Sequence, residues 1–170
     1  PEFAKAAIPT DWLAADDTFS SYAVGAGDQM MALGFPRGLS ANPAGFPILR
    51  SGRVASFPLA PAAAFPTFLL DFTVFPGNSG GPVFMAEGVR RRPGGGESQE
   101  VQFIAGLLTQ QVELNSERLE IGIVTHARYI RETLSLMDNP LAQITVAQGD
   151  SSVGGAKAAS ALESPCATVI

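Results

Sequence analysis

Short apolar or β-prone segments, separated by turns rich in glycine and proline, dominate residues 25–125. Segments of this kind, bounded by turn-forming residues, are typical of β-strands. We predict six strands, at residues 29–35, 48–57, 67–74, 83–86, 100–109 and 119–125. Gly52 interrupts the second strand and is expected to mark a β-bulge. The pattern therefore predicts an all-β fold.

An amphipathic helix is predicted after the sixth strand. Its apolar positions recur at three- and four-residue spacing: Ala127, Ile130, Leu134 and Met137. Either Thr125 or His126 is expected at the N-cap, where threonine is the better capping residue. The proline at position 140 is expected to end the helix.

The two ends of the chain lack the strand pattern. In residues 1–24 we expect a connector whose stretch at 11–14 packs Trp12 as an aromatic anchor. After about residue 148 the composition shifts to glycine, serine and alanine, which bury too little apolar surface to offset the cost of ordering. The predicted organisation is a connector at 1–24, a barrel with its helix at 25–138 and a flexible tail at 139–170.

Composition and charge narrow the function classes. The chain has 170 residues, of which 46% are hydrophobic and 16% charged, as expected for one globular domain. Its net charge of −5 argues against a general nucleic-acid surface. No apolar run approaches the roughly 18 residues that a transmembrane helix requires, so no membrane span is predicted. The basic run at 90–92, followed by glycines, is expected to form a solvated hairpin tip.

Few residues offer metal or redox chemistry. Cys166 is the single cysteine and His126 the single histidine, so neither an internal disulfide nor a closed zinc site is expected. The glycines at 94–96 lack the lysine and context of a phosphate-binding loop. No cofactor is therefore predicted. The absence of an initiator methionine and of a leader suggests a piece of a longer protein.

The stretch at 75–82, FPGNSGGP, is the strongest candidate for chemistry. It places Ser79 between glycines where one predicted strand ends and the next begins. Glycines permit a tight turn, and the amides of Gly77 and Ser79 would then converge on a developing oxyanion. The alternative is a glycine-rich hairpin turn whose serine bonds only its own backbone. Spacing alone leaves both interpretations open.

A family resemblance favours the first interpretation. Residues 77–82 resemble the nucleophile motif of chymotrypsin-like (trypsin-like) serine peptidases, and Asn78 with Pro76 is closest to the bacterial HtrA-like branch. Asp71 matches an aspartate that precedes the motif there. Three further stretches agree in order along the chain: residues 34–38, 52–56 and 121–130. The resemblance covers residues 25–138.

The resemblance implies a six-stranded Greek-key β-barrel, the C-terminal half of a two-barrel chymotrypsin-like fold, followed by a helix. It implies a serine endopeptidase acting through an acyl-enzyme on peptide or protein substrates. The implied residues are Ser79 as the catalytic nucleophile, Gly77, Asn78 and Ser79 in the oxyanion hole, and Thr73, Thr109, Gln110, Gln111 and Gly122 in substrate binding.

Thr73 would lie at the base of the primary specificity pocket. Because it carries no carboxylate, we expect small or medium aliphatic residues there rather than lysine or arginine, whose buried charge would lack a partner. The alternative is that Thr73 is only a β-forming residue in a strand.

The base that must activate the serine is missing. In this family the histidine and aspartate precede the serine, whereas His126 follows Ser79 and is expected to be structural. We therefore expect this chain to be inactive alone and to need an N-terminal barrel that carries both residues. The alternatives are a pseudo-peptidase acting as a peptide-binding module and an inert fragment. The family favours a bacterial periplasmic or secreted location, although the sequence leaves the compartment open.

Overall fold

Six antiparallel strands form the body of the protein. In the computed structural model, which describes residues 8–90, 99–115 and 117–138, they are β1 Gln29–Gly34, β2 Ile48–Val54, β3 Thr67–Asp71, β4 Pro82–Arg90, β5 Gln99–Leu114 and β6 Glu117–His126. Two helices accompany them, α1 Asp16–Ser21 and α2 Ala127–Asp138. The predicted tail at 139–170 and the glycines at 94–96 lie outside the described residues.

The strands close into a barrel in the order β1-β2-β3-β6-β5-β4. Every strand pair is antiparallel, and closure leaves no sheet edge to be protected from pairing with other chains. The predictions of an all-β barrel and a C-terminal helix are thereby confirmed. β4 and β5 extend beyond their predicted bounds because they pair with each other as far as Arg90 and Gln99.

The core fills the inside of the barrel. In β1 and β3 buried side chains alternate with more exposed ones, as the pleat requires. The largest fully buried side chains come from five of the strands: Phe68, Met30, Leu70, Met85, Leu108, Val83, Val101 and Val124. This packing fixes the ends of the strands from which the loops project.

A segment ahead of the barrel, residues 13–24, contains α1 and is called the α1 segment below. The expected aromatic anchor Trp12 is 38% exposed, and the buried aromatic residue is instead Phe19, at 4%. The Phe19 ring packs edge-on against Phe68, Phe103 and His126, with centroids 5.2–6.2 Å apart. The prediction of Trp12 as the buried aromatic residue was wrong, because the chain at this point buries the next two residues, Leu13 and Ala14, instead.

Arg90 ties the α1 segment to β4. Its guanidinium lies 2.5 Å from the Asp28 carboxylate and 3.1 Å from that of Glu87. It also donates to the carbonyls of Tyr22 and Ala23, at 2.7 and 2.9 Å. These residues form the Arg90 cluster, in which a mostly buried cation is fully paired.

Two local expectations need correction. Gly52 is not a bulge, since it pairs in register with Met30. A Cβ there would lie 2.7 Å from Cβ of Phe72, so the glycine permits a close approach of the chain. Thr125, the better capping residue, is not the N-cap, because it pairs with Thr67 inside β6; His126, the alternative, directly precedes Ala127, where α2 begins.

Candidate active site

Ser79 directly follows Asn78, the residue shared by two consecutive tight turns, within a segment at 72–81 that we call the Ser79 loop. In the first turn the N–H of Asn78 donates to the carbonyl of Phe75 at 3.0 Å. Pro76 and Gly77, with φ +93°, occupy the central positions, as in a type II turn. The second turn runs from Asn78 to Gly81, and Gly80, with φ +81°, takes the corresponding place. The serine is exposed to solvent.

The turn after β1 holds one side of the Ser79 loop. The N–H groups of Phe35 and Arg37 donate to the carbonyls of Gly77 and Pro76, at 3.0 and 2.6 Å. A Cβ at Gly77 would collide with the Phe35 carbonyl oxygen. Position 77 therefore requires glycine for both its space and its backbone angle.

β5 holds the other side of the loop. Leu108 bonds it twice, accepting from the N–H of Gly80 at 2.7 Å and donating to the carbonyl of Gly81 at 2.9 Å. The Ser79 hydroxyl donates to the Thr109 carbonyl at 2.8 Å. The β5–β6 register skips Thr109, an irregularity that frees its carbonyl from the ladder. The serine thus contacts the strand at its bulge.

The loop leaves two main-chain donors unbonded. The N–H groups of Gly77 and Ser79 donate to no other residue in the part of the chain that the structure describes. The N–H of Asn78 is engaged within the first turn. Of the three residues expected in the oxyanion hole, two therefore retain free main-chain donors.

The side chain of Asn78 is buried beneath the loop, at 3% exposure. Its Oδ1 has no hydrogen-bond partner among the described residues. A Cβ at Gly34 would come within 3.1 Å of this oxygen, so β1 packs tightly against the amide. An unpaired buried amide costs about 1–3 kcal/mol, which makes the position one of local strain.

Apart from Thr73, the residues expected to bind substrate lie on the neighbouring strands β5 and β6. Thr109 contacts Ser79 directly, and Gln110 follows it along β5. Gln111 pairs in register with Gly122 and donates to Glu113 at 2.6 Å. Gly122 is buried, and a Cβ there would lie 3.0 Å from core side chains. The structure thus groups Ser79 with Thr109, whereas Gly122 faces packed interior.

Thr73 is half-buried at the start of the Ser79 loop, and its carbonyl accepts a hydrogen bond from Nη1 of Arg50. Sequence reasoning missed Arg50. A detectable signal was present, because Arg50 falls on the same alternating face of β2 as the buried Val54.

His126 packs inside the α1 side of the barrel, at 2% exposure. Its ring lies between Phe19 and Phe68, and Nε2 has no partner among the described residues. Burial lowers the pKa of His126, although nearby Asp16 and a hydrogen bond to the backbone of Leu59 act in the opposite direction. The only imidazole in the sequence is therefore neutral at pH 7, and it is not bonded to Ser79.

A mainly apolar groove opens beside Ser79, with a volume of about 440 Å³. It is lined by Leu33, Phe35, Pro47, Pro82 and the loop glycines. Leu33 and Pro82 also line a second apolar groove, of about 200 Å³, that continues past Trp12 and Phe84. The serine therefore stands at the edge of a long apolar surface.

No protein-family model matches the chain, and no curated protein matches it. Among the described residues, no cluster of histidine, cysteine or acidic side chains is arranged to hold a metal ion. No helix in the described ranges has the length and apolar character to cross a membrane.

Proposed function

We propose that this chain is the nucleophile-bearing barrel of a chymotrypsin-like serine endopeptidase. The observation that carries the proposal is the Ser79 loop, in which an exposed hydroxyl accompanies two unbonded N–H groups, at Gly77 and Ser79. Acyl transfer needs this combination, since the hydroxyl attacks a carbonyl and the donors stabilise the resulting oxyanion.

The strand order supports the corresponding fold. β1, β2 and β3 are neighbours in sequence and in space, and β4 returns to lie beside β1. A fourth strand that returns beside the first is expected of a Greek key, so this order supports the proposed fold. The apolar grooves beside Ser79 provide a surface on which a second barrel would pack.

In the proposed reaction Ser79 Oγ attacks the scissile carbonyl carbon while a base removes its proton. The base is an imidazole, oriented by a carboxylate, from an N-terminal barrel outside this chain. His126 does not serve, because its ring is enclosed by Phe19 and Phe68. The same proton then passes to the leaving amine, and water hydrolyses the acyl-enzyme. This chain alone is expected to be inactive.

The substrate is an extended peptide that runs along β5. The half-buried positions Thr109, Gln110 and Gln111 adjoin Ser79 on this strand. Thr73 brings no carboxylate to the pocket, which favours a small or medium aliphatic residue before the scissile bond. The HtrA-like motif points to a bacterial protein, periplasmic or secreted.

Labelling of the full-length protein with a fluorophosphonate tests the proposal, because the probe reacts only with an activated serine. We expect one label, on Ser79, that Ser79→Ala abolishes and Ser51→Ala, a substitution at an exposed position of β2, retains. The isolated chain is expected to remain unlabelled. A label elsewhere, or none on a folded full-length protein, would contradict the proposal.

A second candidate is a non-catalytic peptide-binding barrel. It is favoured by the bond from Ser79 to the Thr109 carbonyl, which occupies the hydroxyl in the absence of a base. In this case the fluorophosphonate does not label the full-length protein. The unsubstituted protein and the Ser79→Ala variant then bind peptides with equal affinity, as measured by calorimetry.

A further inference from the structure

Arg50 points into the end of the barrel that carries the Ser79 loop. It pairs in register with Ala32, which is 4% exposed, and residues opposite each other in an antiparallel pair share a face. No carboxylate among the described residues pairs with it, in contrast to Arg90. A half-buried cation without a counter-ion requires compensation from other groups.

The Ser79 loop supplies this compensation. Nη1 of Arg50 donates to the carbonyl of Thr73, and its Cζ lies 4.9 Å from the ring centroid of Phe72. The same Cζ lies 5.3 Å from the ring centroid of Phe75, as does the Cζ of Arg37. Guanidinium groups are attracted to aromatic faces at these distances. One side chain from β2 therefore contacts three residues of the loop.

These contacts lead directly to the turn that carries the free donors. The Phe75 carbonyl accepts the hydrogen bond from Asn78 that closes the first turn. Gly77 lies inside this turn, and Ser79 follows it. A fixed Phe75 therefore fixes the directions of the N–H groups of Gly77 and Ser79.

From this arrangement we propose that Arg50 is a positioning residue, which holds the Ser79 loop from inside the barrel in the conformation that presents its two free amides. The purpose assigned to Arg50 rests on the proposed function, but its contacts with the loop and the experiment that tests them do not depend on catalysis.

Arg50 acts on the loop and not on a ligand. The space that it lines with Ala32, Gly34, Phe72 and Asn78 has no room for a water molecule. A substrate carboxylate therefore has no place beside the guanidinium. The planar group fits between rings and carbonyl, whereas the ammonium of lysine is compact and strongly hydrated.

Amide hydrogen exchange of the whole chain, followed by NMR, tests the proposal. We expect Arg50→Lys to accelerate exchange of the Asn78 amide by about tenfold, since two ring contacts and one hydrogen bond are weakened. Amides of β1, such as Met30, should change less than about twofold. The matched control is Arg53→Lys, three residues along β2, where an exposed arginine donates to the Gly27 carbonyl at 2.7 Å. It should leave Asn78 unchanged.

A second variant, Phe75→Leu, removes the ring that Arg50 and Arg37 both contact, and it keeps the contacts of Arg50 with Phe72 and Thr73 in place. We expect a smaller acceleration at Asn78, about threefold, again without change at Met30. Unchanged exchange at Asn78 in both variants would overturn the proposal. Equal acceleration at Asn78 and Met30 would also overturn it, because Arg50 would then stabilise the barrel generally. Neither result depends on whether Ser79 reacts with a fluorophosphonate, so a failure of the proposed function is recognised separately.

Discussion

The α1 segment and the Ser79 loop are attached to the same barrel by different interactions. The α1 segment buries Phe19 among aromatic rings and is tied to β4 by hydrogen bonds from Arg90 to the carbonyls of Tyr22 and Ala23. The Ser79 loop is held by main-chain hydrogen bonds to its two neighbours and by Arg50. Within the part of the chain that the structure describes, it leaves the Oδ1 of Asn78 and two N–H groups without partners.

This difference in attachment means that the α1 segment stabilises the fold, whereas the Ser79 loop carries the groups that could take part in a reaction. Apolar burial around Phe19 and the bonds from Arg90 stabilise the fold, so the α1 segment contributes folding free energy. The exposed N–H groups of Gly77 and Ser79 add no internal hydrogen bond to the described part of the fold, and they are the groups that a reacting carbonyl needs. The comparison predicts a large response to substitutions in the α1 segment and a small one in the loop.

The largest effect is expected from Phe19→Ala. It removes a ring that is 4% exposed and leaves a cavity between Phe68 and Phe103. We expect a loss of about 3–4 kcal/mol in the free energy of unfolding, measured by urea titration. The control Phe46→Ala, at a position 62% exposed, should cost less than about 0.5 kcal/mol. Similar losses of unfolding free energy in the two variants would contradict the conclusion that the α1 segment stabilises the fold through Phe19.

A smaller effect is expected from pH, through His126. Burial lowers the pKa of this histidine in the folded state, so the unfolded chain binds its proton more readily. Stability contributed by the neutral ring is complete above its unfolded pKa of about 6.5 and decreases as the pH falls below that value.

Urea titrations at pH 7 and pH 5 measure this dependence. The loss at pH 5 should be smaller in His126→Gln, which carries no titrating group. A protein that becomes more stable between pH 7 and pH 5, with the histidine intact, would contradict a neutral buried ring.

The smallest effect is expected from Asn78→Ala. Because Oδ1 has no partner among the described residues, the substitution removes an unsatisfied amide along with its packing, and these two contributions oppose each other. We expect a change of less than about 1 kcal/mol in the free energy of unfolding. A loss above about 2 kcal/mol would show that the loop contributes stability as the α1 segment does.

Much of the barrel was predictable from local pattern. Turn-forming residues bound the six strands, and the glycines at 77 and 80 predicted the turns that carry Ser79. Contacts between distant residues were not predictable. The orientation of Arg50 toward the Ser79 loop depends on its register with Ala32, and the bulge at Thr109 depends on how β5 pairs with β6. α1 was missed because burial of Phe19, and not helical periodicity, stabilises it.

Gly77 packs directly under the Phe35 carbonyl, and this close contact affects how the sequences of variants should be interpreted. A Cβ at Gly81 would likewise collide with the Leu33 carbonyl oxygen. The folded structure therefore requires glycine at both positions, whether or not the protein cleaves a substrate. Surveys of natural or random libraries should find these two positions invariant among all folded members. Only the tolerance of position 79, whose side chain faces solvent, will distinguish working members from silent ones.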